Sequence, residues 1–158
     1  MSRYWLLFII CSIPISGFAA AKRQFNWQYG LEDPEKGESR TSAANLLKFA
    51  VSSEPKWLRL VTGFTLSIGS TYKQGDISLG PYIYFLSDVK KSNIQPFFYA
   101  EGIAGVGQFD DKSHFNGGYE VGAGVDLKWF SHSGISLAIA LNKTKVNSLR
   151  IWIGYYYF

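Results

Sequence analysis

From Gln24 onward the chain alternates. Phe25, Trp27, Tyr29 and Leu31 take every second position, with Asn26, Gln28 and Gly30 between them. A period of two predicts a strand with one apolar face, and the pattern recurs. Leu58, Leu60, Phe64, Leu66 and Ile68 share one face of Trp57–Gly69, interrupted by Thr62, and oppose Arg59, Gly63, Thr65 and Ser67. Over Ile77–Leu86, Ile77, Leu79, Ile83 and Phe85 are in phase. Pro81 shares their face, and its missing donor predicts a bulge or weak pairing. Ile94–Phe109 is a long strand; with Glu101 inward, Phe98, Ala100, Gly102, Ala104 and Val106 point outward. Tyr119, Val121, Ala123, Val125, Leu127 and Trp129 oppose Glu120, Gly122, Gly124, Asp126 and Lys128. Ile135, Leu137, Ile139 and Leu141 oppose Ser136, Ala138, Ala140 and Asn142. In the last stretch Leu149, Ile151, Ile153, Tyr155 and Tyr157 form a uniform apolar phase, Arg150 takes the other face, and the sequence stops on Phe158. Tyr156 and Trp152 stand in phase with Phe158, so a bulge near the end would be needed for both sets to face one way.

Polar runs separate these stretches: Asp33–Asn45, Ser53–Lys56, Lys73–Asp76, Ser87–Asn93, Asp110–Gly118, Ser131–Gly134 and Lys143–Asn147. Leu46–Ser53 reads as a further strand with Leu47, Phe49 and Val51 on one face, although Thr41–Ala44 is equally compatible with the start of a short helix. With a strand there, the count is eight. The first and fifth connections are the longest and the second and sixth are short, as expected of a barrel with longer outer loops.

Alternation alone does not tell a soluble sandwich from a membrane barrel, since either medium can meet the apolar face. The secretion signal, the absence of cysteine from the mature chain, the aromatic strand ends and the terminal Phe158 decide together. Arg3 supplies a positive start, Tyr4–Ile15 an apolar run and Ala19–Ala21 a small-residue cleavage pattern, predicting a signal peptide over 1–21 and a barrel domain over 22–158. The apolar run is too short for a spanning helix, which needs about 20 residues. A membrane protein without such helices is a closed barrel. The predicted fold is therefore an all-β, eight-stranded antiparallel up-and-down transmembrane β-barrel after a cleaved signal peptide.

Composition agrees. Aromatics make up 17% and charged residues 18%, the latter below the roughly 25% of ordinary soluble domains. The formal net charge of +4 is scattered, which argues against a nucleic-acid groove. Cys11 lies inside the expected signal peptide, so the mature chain would have no disulfide, thiol nucleophile or thiolate metal site. Trp129, Phe130, Tyr155, Tyr157 and Phe158 are the expected aromatic girdle at the lipid–water boundary.

The alternation turns Arg59, Lys128 and Arg150 inward with Glu101, Glu120 and Asp126. Buried charges must pair, and an eight-stranded barrel is just wide enough to be filled by its side chains. These six predict an interior charge network acting as a structural plug, with a gate or small polar conduit as the functional alternative. Catalytic candidates are thin. His132 and Ser133 are adjacent in a turn with no acid nearby, whereas a nucleophile pair needs a third, orienting group. His114 shares a loop with Asp110 and Asp111, short of the three or four converging ligands of a metal site. No catalytic residue, metal or organic cofactor is expected.

The terminal aromatic strand and the eight alternating segments resemble the small outer-membrane barrels of Gram-negative bacteria, the OmpA-type transmembrane domain and its relatives. That resemblance implies an outer-membrane location, surrounding lipid and lipopolysaccharide, insertion by the barrel-assembly machinery and a monomeric state. Gln95-Pro96-Phe97-Phe98, Glu101-Gly102-Ile103 and Gly122-Ala123-Gly124 are similar to stretches of the lipid A deacylase barrels. That family implies a His-x-Ser pair on the seventh strand and a Glu on the eighth. Here the first place reads Asn142-Lys143-Thr144, and the last strand carries no acid. The expected function is a non-enzymatic outer-membrane barrel, serving envelope structure or presenting surface loops. A lipid A deacylase-like enzyme and a small pore are the alternatives.

Overall fold

The computed structural model describes residues 24–34, 43–53, 57–70, 72–85, 92–109, 112–144 and 147–157. The expected signal peptide and Phe158 lie outside the described residues. Eight strands follow in order: β1 (Gln24–Pro34), β2 (Ala44–Ser52), β3 (Leu58–Gly69), β4 (Tyr72–Tyr84), β5 (Ile94–Phe109), β6 (Lys112–Phe130), β7 (Ser133–Lys143) and β8 (Ser148–Tyr157). Each pairs antiparallel with its chain neighbours, and β8 pairs back onto β1 to close the barrel. Closure resolves the hazard of an apolar edge strand: Tyr157 lies opposite Phe25, and Tyr155 opposite Trp27.

The register sets the shear. Gln24 faces Ser52, Ser52 faces Val61, and Val61 faces Gly80. The β4–β5 register carries Gly80 on to Glu101. Glu101 faces Glu120, which faces Asn142, then Ser148, then Pro34. The circuit returns to β1 ten residues further along (34 − 24), a shear that tilts the strands by about 40°. From Gln24 through Ser148 every residue on this circuit is buried, so the circuit runs along the inner wall.

The two faces divide by polarity in the inverse sense of a soluble protein. Inward lie Gln28, Glu32, Lys48, Arg59, Glu101, Glu120 and Arg150, all buried. Outward lie Trp27, Phe49, Phe64, Leu79, Phe98, Ile139 and Ile153, all exposed. Water on both sides would not select that arrangement, because polar groups would be buried while aromatic rings faced solvent. A hydrocarbon layer does select it. The outer face therefore makes this a membrane-spanning barrel. Ile153 is the third of the five outward side chains of β8, between Ile151 and Tyr155, and is 54% exposed. Ile153→Arg is expected to destabilise the barrel in lipid vesicles by about 2–4 kcal/mol. Urea unfolding followed by tryptophan fluorescence measures this, and an unchanged midpoint would argue against lipid at that face.

The strand reading of Leu46–Ser53 holds in β2, which runs from Ala44 to Ser52. Several expectations are corrected. Lys73–Asp76, expected as a turn, is the first part of β4. Asp110–Gly118, expected as a long loop, is mostly strand, since β6 starts at Lys112. The fifth connection is therefore short, and the long feature there is a hairpin. β6 residues 112–118 lie past the last pairing with β7, Tyr119 with Lys143, and carry the hairpin about 23 Å along the strand beyond it. In β8 the phase of Leu149 to Tyr157 points outward along its whole length, with Arg150, Trp152 and Tyr156 inward and no switch. The one register shift against β7 lies instead in β6, between Lys128 and Phe130. At Pro81 the register is kept, but the β4–β5 ladder lapses between Leu79 and Tyr82.

Candidate functional site

Among the described residues the barrel interior is where chemistry-bearing side chains converge, and it is built in tiers. The lowest tier lies near Gln24 and Tyr156, at the end shared by the start of β1 and the end of β8. Here Arg59 Nη1 donates to Gln24 Oε1 and, at 3.2 Å, to the Tyr84 hydroxyl. Tyr84 donates to Asp126 Oδ2 at 2.9 Å, and Arg59 stands 3.9 Å from the same oxygen. The guanidinium lies 3.9 Å over the Tyr84 ring, a favourable cation–π geometry. A cavity of about 20 Å³ beside this tier is bordered by Asn26, Ser52, Arg59 and Tyr82, room for a single water.

An aromatic tier follows. Tyr82 stacks on Tyr99 with centroids 4.6 Å apart, and on Phe97 at 5.4 Å. Gly124 and Gly122 of β6 lie under these rings: a Cβ at either would come within 2.5 Å of Phe97 or Tyr99. The small inner face of β6 is thus the space into which β5 packs its aromatics. The phenols point on toward the next tier, where Tyr82 donates to Glu101 at 3.1 Å and Tyr99 to Glu120 at 2.7 Å.

That tier holds the tightest ion pairs. Lys48 Nζ lies 2.6 Å from Glu101 Oε2. Arg150 bridges two acids, with Nη1 2.9 Å from Glu120 and Nε 2.9 Å from Glu32. Ser148 and Tyr72 also donate to Glu32, filling both its oxygens. Charge-assisted bonds of this length are the strong ones, and they join β1, β2, β5, β6 and β8 across the lumen.

Of the six charges expected inside, Arg59 and Asp126 meet in the lower tier, and Glu101, Glu120 and Arg150 in the upper. Lys128 is the exception: it stays half-exposed where β6 ends, next to the register shift. Three partners were missed in the sequence. Lys48 lies inward between the outward Leu47 and Phe49, and Glu32 continues the phase of Gln28 and Gly30, so alternation carried a signal for both. Asp76 was hidden in the supposed turn. Of the expected girdle, Trp129, Phe130, Tyr155 and Tyr157 are exposed on the outer face. Trp129, Phe130 and Tyr157 stand at the same end as Phe25, Trp57 and Phe85.

The catalytic candidates do not converge. His132 is exposed in the β6–β7 turn, while the neighbouring Ser133 is buried. Asn142, at the position a deacylase-type pair would occupy, is buried and donates to Thr144 Oγ1 at 3.1 Å and Ser148 Oγ at 3.2 Å. Among the described residues no three His, Cys, Asp or Glu side chains gather as metal ligands.

A filled lumen, an apolar outer wall and eight meandering strands decide the architecture. This is the fold of the small outer-membrane barrels. The chain is similar to Neisserial surface protein A at 13% identity, over 85% of this chain and 94% of that one, with a TM-score of 0.62. It is similar to the N-terminal β-barrel domain of Pseudomonas aeruginosa OprF at 10% identity, over 87% and 98%, with a TM-score of 0.63. It is also similar to Ail, the attachment invasion locus protein of Yersinia pestis, at 11% identity, over 85% and 95%, with a TM-score of 0.57. No protein-family model and no curated protein sequence matches the chain. At such identities the likeness speaks for the fold alone.

Proposed function

We propose that this is an integral outer-membrane barrel without enzymatic turnover. Its packed lumen acts as a structural plug, and its outer end presents loops and the β5–β6 hairpin outside the cell. It is embedded in a lipopolysaccharide-containing membrane after insertion by the barrel-assembly machinery. The observation that carries this reading is the inverted polarity: a closed barrel with paired charges inside and a predominantly apolar wall outside. Ion pairs and stacked rings lie across the described lumen, which supports the plug over an open conduit. The strand lengths of β5 and β6, 16 and 19 residues, exceed the 9–11 or so that cross the apolar layer, which favours display at the surface.

The test is expression in a Gram-negative host with membrane fractionation, gels of heated and unheated samples, mass spectrometry of lipid A and planar-bilayer recording. Expected are outer-membrane recovery, a heat-dependent mobility shift, unaltered lipid A and no discrete conductance steps. Recovery as a soluble periplasmic protein defeats the location, a lipid A mass change defeats the non-enzymatic reading, and regular conductance steps defeat the plug.

A further inference from the structure

β6 outruns its neighbour on one flank. Toward β5 it is paired along its whole outer part, from Lys112 with Phe109 to Tyr119 with Gly102. Toward β7 the pairing ends at Tyr119. Among the described residues no strand lies beside residues 112–118 on that flank. The backbone groups that this edge offers follow from the ladder. Lys128 N donates to Asn93 O, and the register with β5 is unbroken from there to Lys112. Even-numbered residues of β6 therefore exchange hydrogen bonds with β5, and odd-numbered ones point their N–H and C=O the other way. Ser113, Phe115 and Gly117 aim theirs across the open edge.

The side chains of the same three residues lie on the outer face. Phe115 is 71% exposed, and Val106 opposite it on β5 is 59% exposed. The Phe115 ring leans over Gly117, where a Cβ would stand 3.0 Å from it. Counted from Phe130, the 9–11 or so residues that cross the apolar layer end near Glu120, short of Phe115. This apolar pair thus stands beyond the lipid that accounts for the rest of the outer wall. Exposed edges are ordinarily blunted by proline, a bulge or charges along the strand. Residues 112–118 contain no proline, their register is unbroken, and their one formal charge, Lys112, stands at the far end.

We propose that this edge of β6 docks an extended segment of an extracellular protein, which adds a strand beside Ser113, Phe115 and Gly117 and lays an aromatic or β-branched side chain against Phe115. Backbone bonds supply affinity in such strand addition, and alternate side chains supply specificity. In an antiparallel added strand the residue opposite Phe115 brings its Cβ within about 5.5 Å. A second copy in the same membrane does not fit. Two barrels related by an axis along the membrane normal would cross their facing β6 strands at about 80°, twice the tilt, whereas paired strands are rotated by only about 20–25°. The edge stands on its own geometry; only the extracellular origin of the partner rests on the proposed display of the hairpin.

The test uses the full mature chain refolded in detergent, with backbone amides followed by nuclear magnetic resonance. The probe is a synthetic nine-residue peptide of alternating threonine and valine with a central phenylalanine and lysine at both ends. Its twin is N-methylated at alternate residues and lacks the facing row of donors. In the free barrel Ser113 and Phe115 should exchange their amide protons at least about tenfold faster than His114 and Asn116, whose amides face β5. Millimolar peptide should shift Ser113, Phe115 and Gly117 saturably and slow their exchange, and the methylated twin should do neither. Ser113→Pro removes an edge donor without touching the β5 ladder and should weaken binding about five- to tenfold. Phe115→Ala should weaken it about two- to fivefold. Gel mobility without heating shows whether each variant is folded; if either is not, the methylated twin on the wild type carries the comparison. Protection of Ser113 and Phe115 in the free barrel, no saturable shift, or equal binding of the methylated twin overturns the site. Labelling of Ser113→Cys by an impermeant maleimide on intact cells tests the display separately: absent labelling overturns the extracellular origin and leaves the edge standing.

Discussion

Arg150→Met is expected to cost about 3–5 kcal/mol, because it leaves charges buried without their partner. Arg150 holds Glu32 on β1 and Glu120 on β6 from its own place on β8, each at 2.9 Å. Methionine fills much of the volume but answers neither acid. The loss falls near the β8–β1 seam, where the barrel closes, so the barrel band on unheated gels should weaken as well as the unfolding midpoint. The triple variant Arg150→Met, Glu32→Gln, Glu120→Gln distinguishes the cause. If stranded charge is the damage, the triple recovers much of the stability, since a neutral set avoids the desolvation of ions. If the triple is as unstable as the single, packing around Arg150 is the cause and the electrostatic account fails. Urea titration in lipid vesicles, read by tryptophan fluorescence, supplies both numbers.

Gly80→Ala is the second large effect. A Cβ on Gly80 would stand 1.8 Å from the carbonyl oxygen of Ala100 and 2.6 Å from the Glu101 Cα. Both are backbone atoms of the neighbouring strand, so no rotamer relieves the clash. The position also adjoins the lapse in pairing at Pro81, where few ladder bonds oppose separation of β4 from β5. The displaced Glu101 would carry its 2.6 Å contact with Lys48 away with it. A loss of about 3 kcal/mol, the upper part of the range for overpacking, or failure to assemble is expected. Gly75→Ala is the control. Its Cβ meets only side-chain carbons of Phe64 and Leu66 at 3.7 Å or more, and its midpoint should stay within about 0.5 kcal/mol of wild type. Equal behaviour of the two variants would count against the close β4–β5 approach.

The legible parts of the chain are those where two media meet the strand. Between Phe25 and Leu31, or between Leu149 and Tyr157, lipid on one side and a packed polar lumen on the other impose a period of two, and the sequence records it. Lys48 and Glu32 were recoverable by extending that period one step. Asp76 was not. At the outer rim Lys73 and Gly75 face outward while Gln74 and Asp76 face inward, so both faces are polar or small and the alternation disappears. The run then imitates a turn. The same holds for Asn116–Gly118, whose glycines read as loop chemistry although they extend β6. Past the lipid boundary the outward face no longer has to be apolar, and a strand there leaves no binary signal.

The sequence by itself determined the outward phase wherever lipid and lumen face opposite sides of a strand and, given a strand over Leu46–Ser53 and Glu101 inward, the strand count and the inward direction of Arg59, Glu120, Asp126 and Arg150. All of these follow from local alternation, which each residue expresses through its nearest neighbours in the chain. Only the tertiary structure decided which charges meet. Lys48 and Glu101 stand 53 residues apart, and Arg150 and Glu32 stand 118 apart. Such pairs are brought together by the shear of ten and the closure of β8 on β1. Shear is a sum of seven hairpin registers and one closing register, and a shift of one pairing step in any of them would bring different side chains together. The surroundings of Asp76 are a product of that same sum, which brings Asn116, 40 residues away in sequence, within hydrogen-bond reach of it.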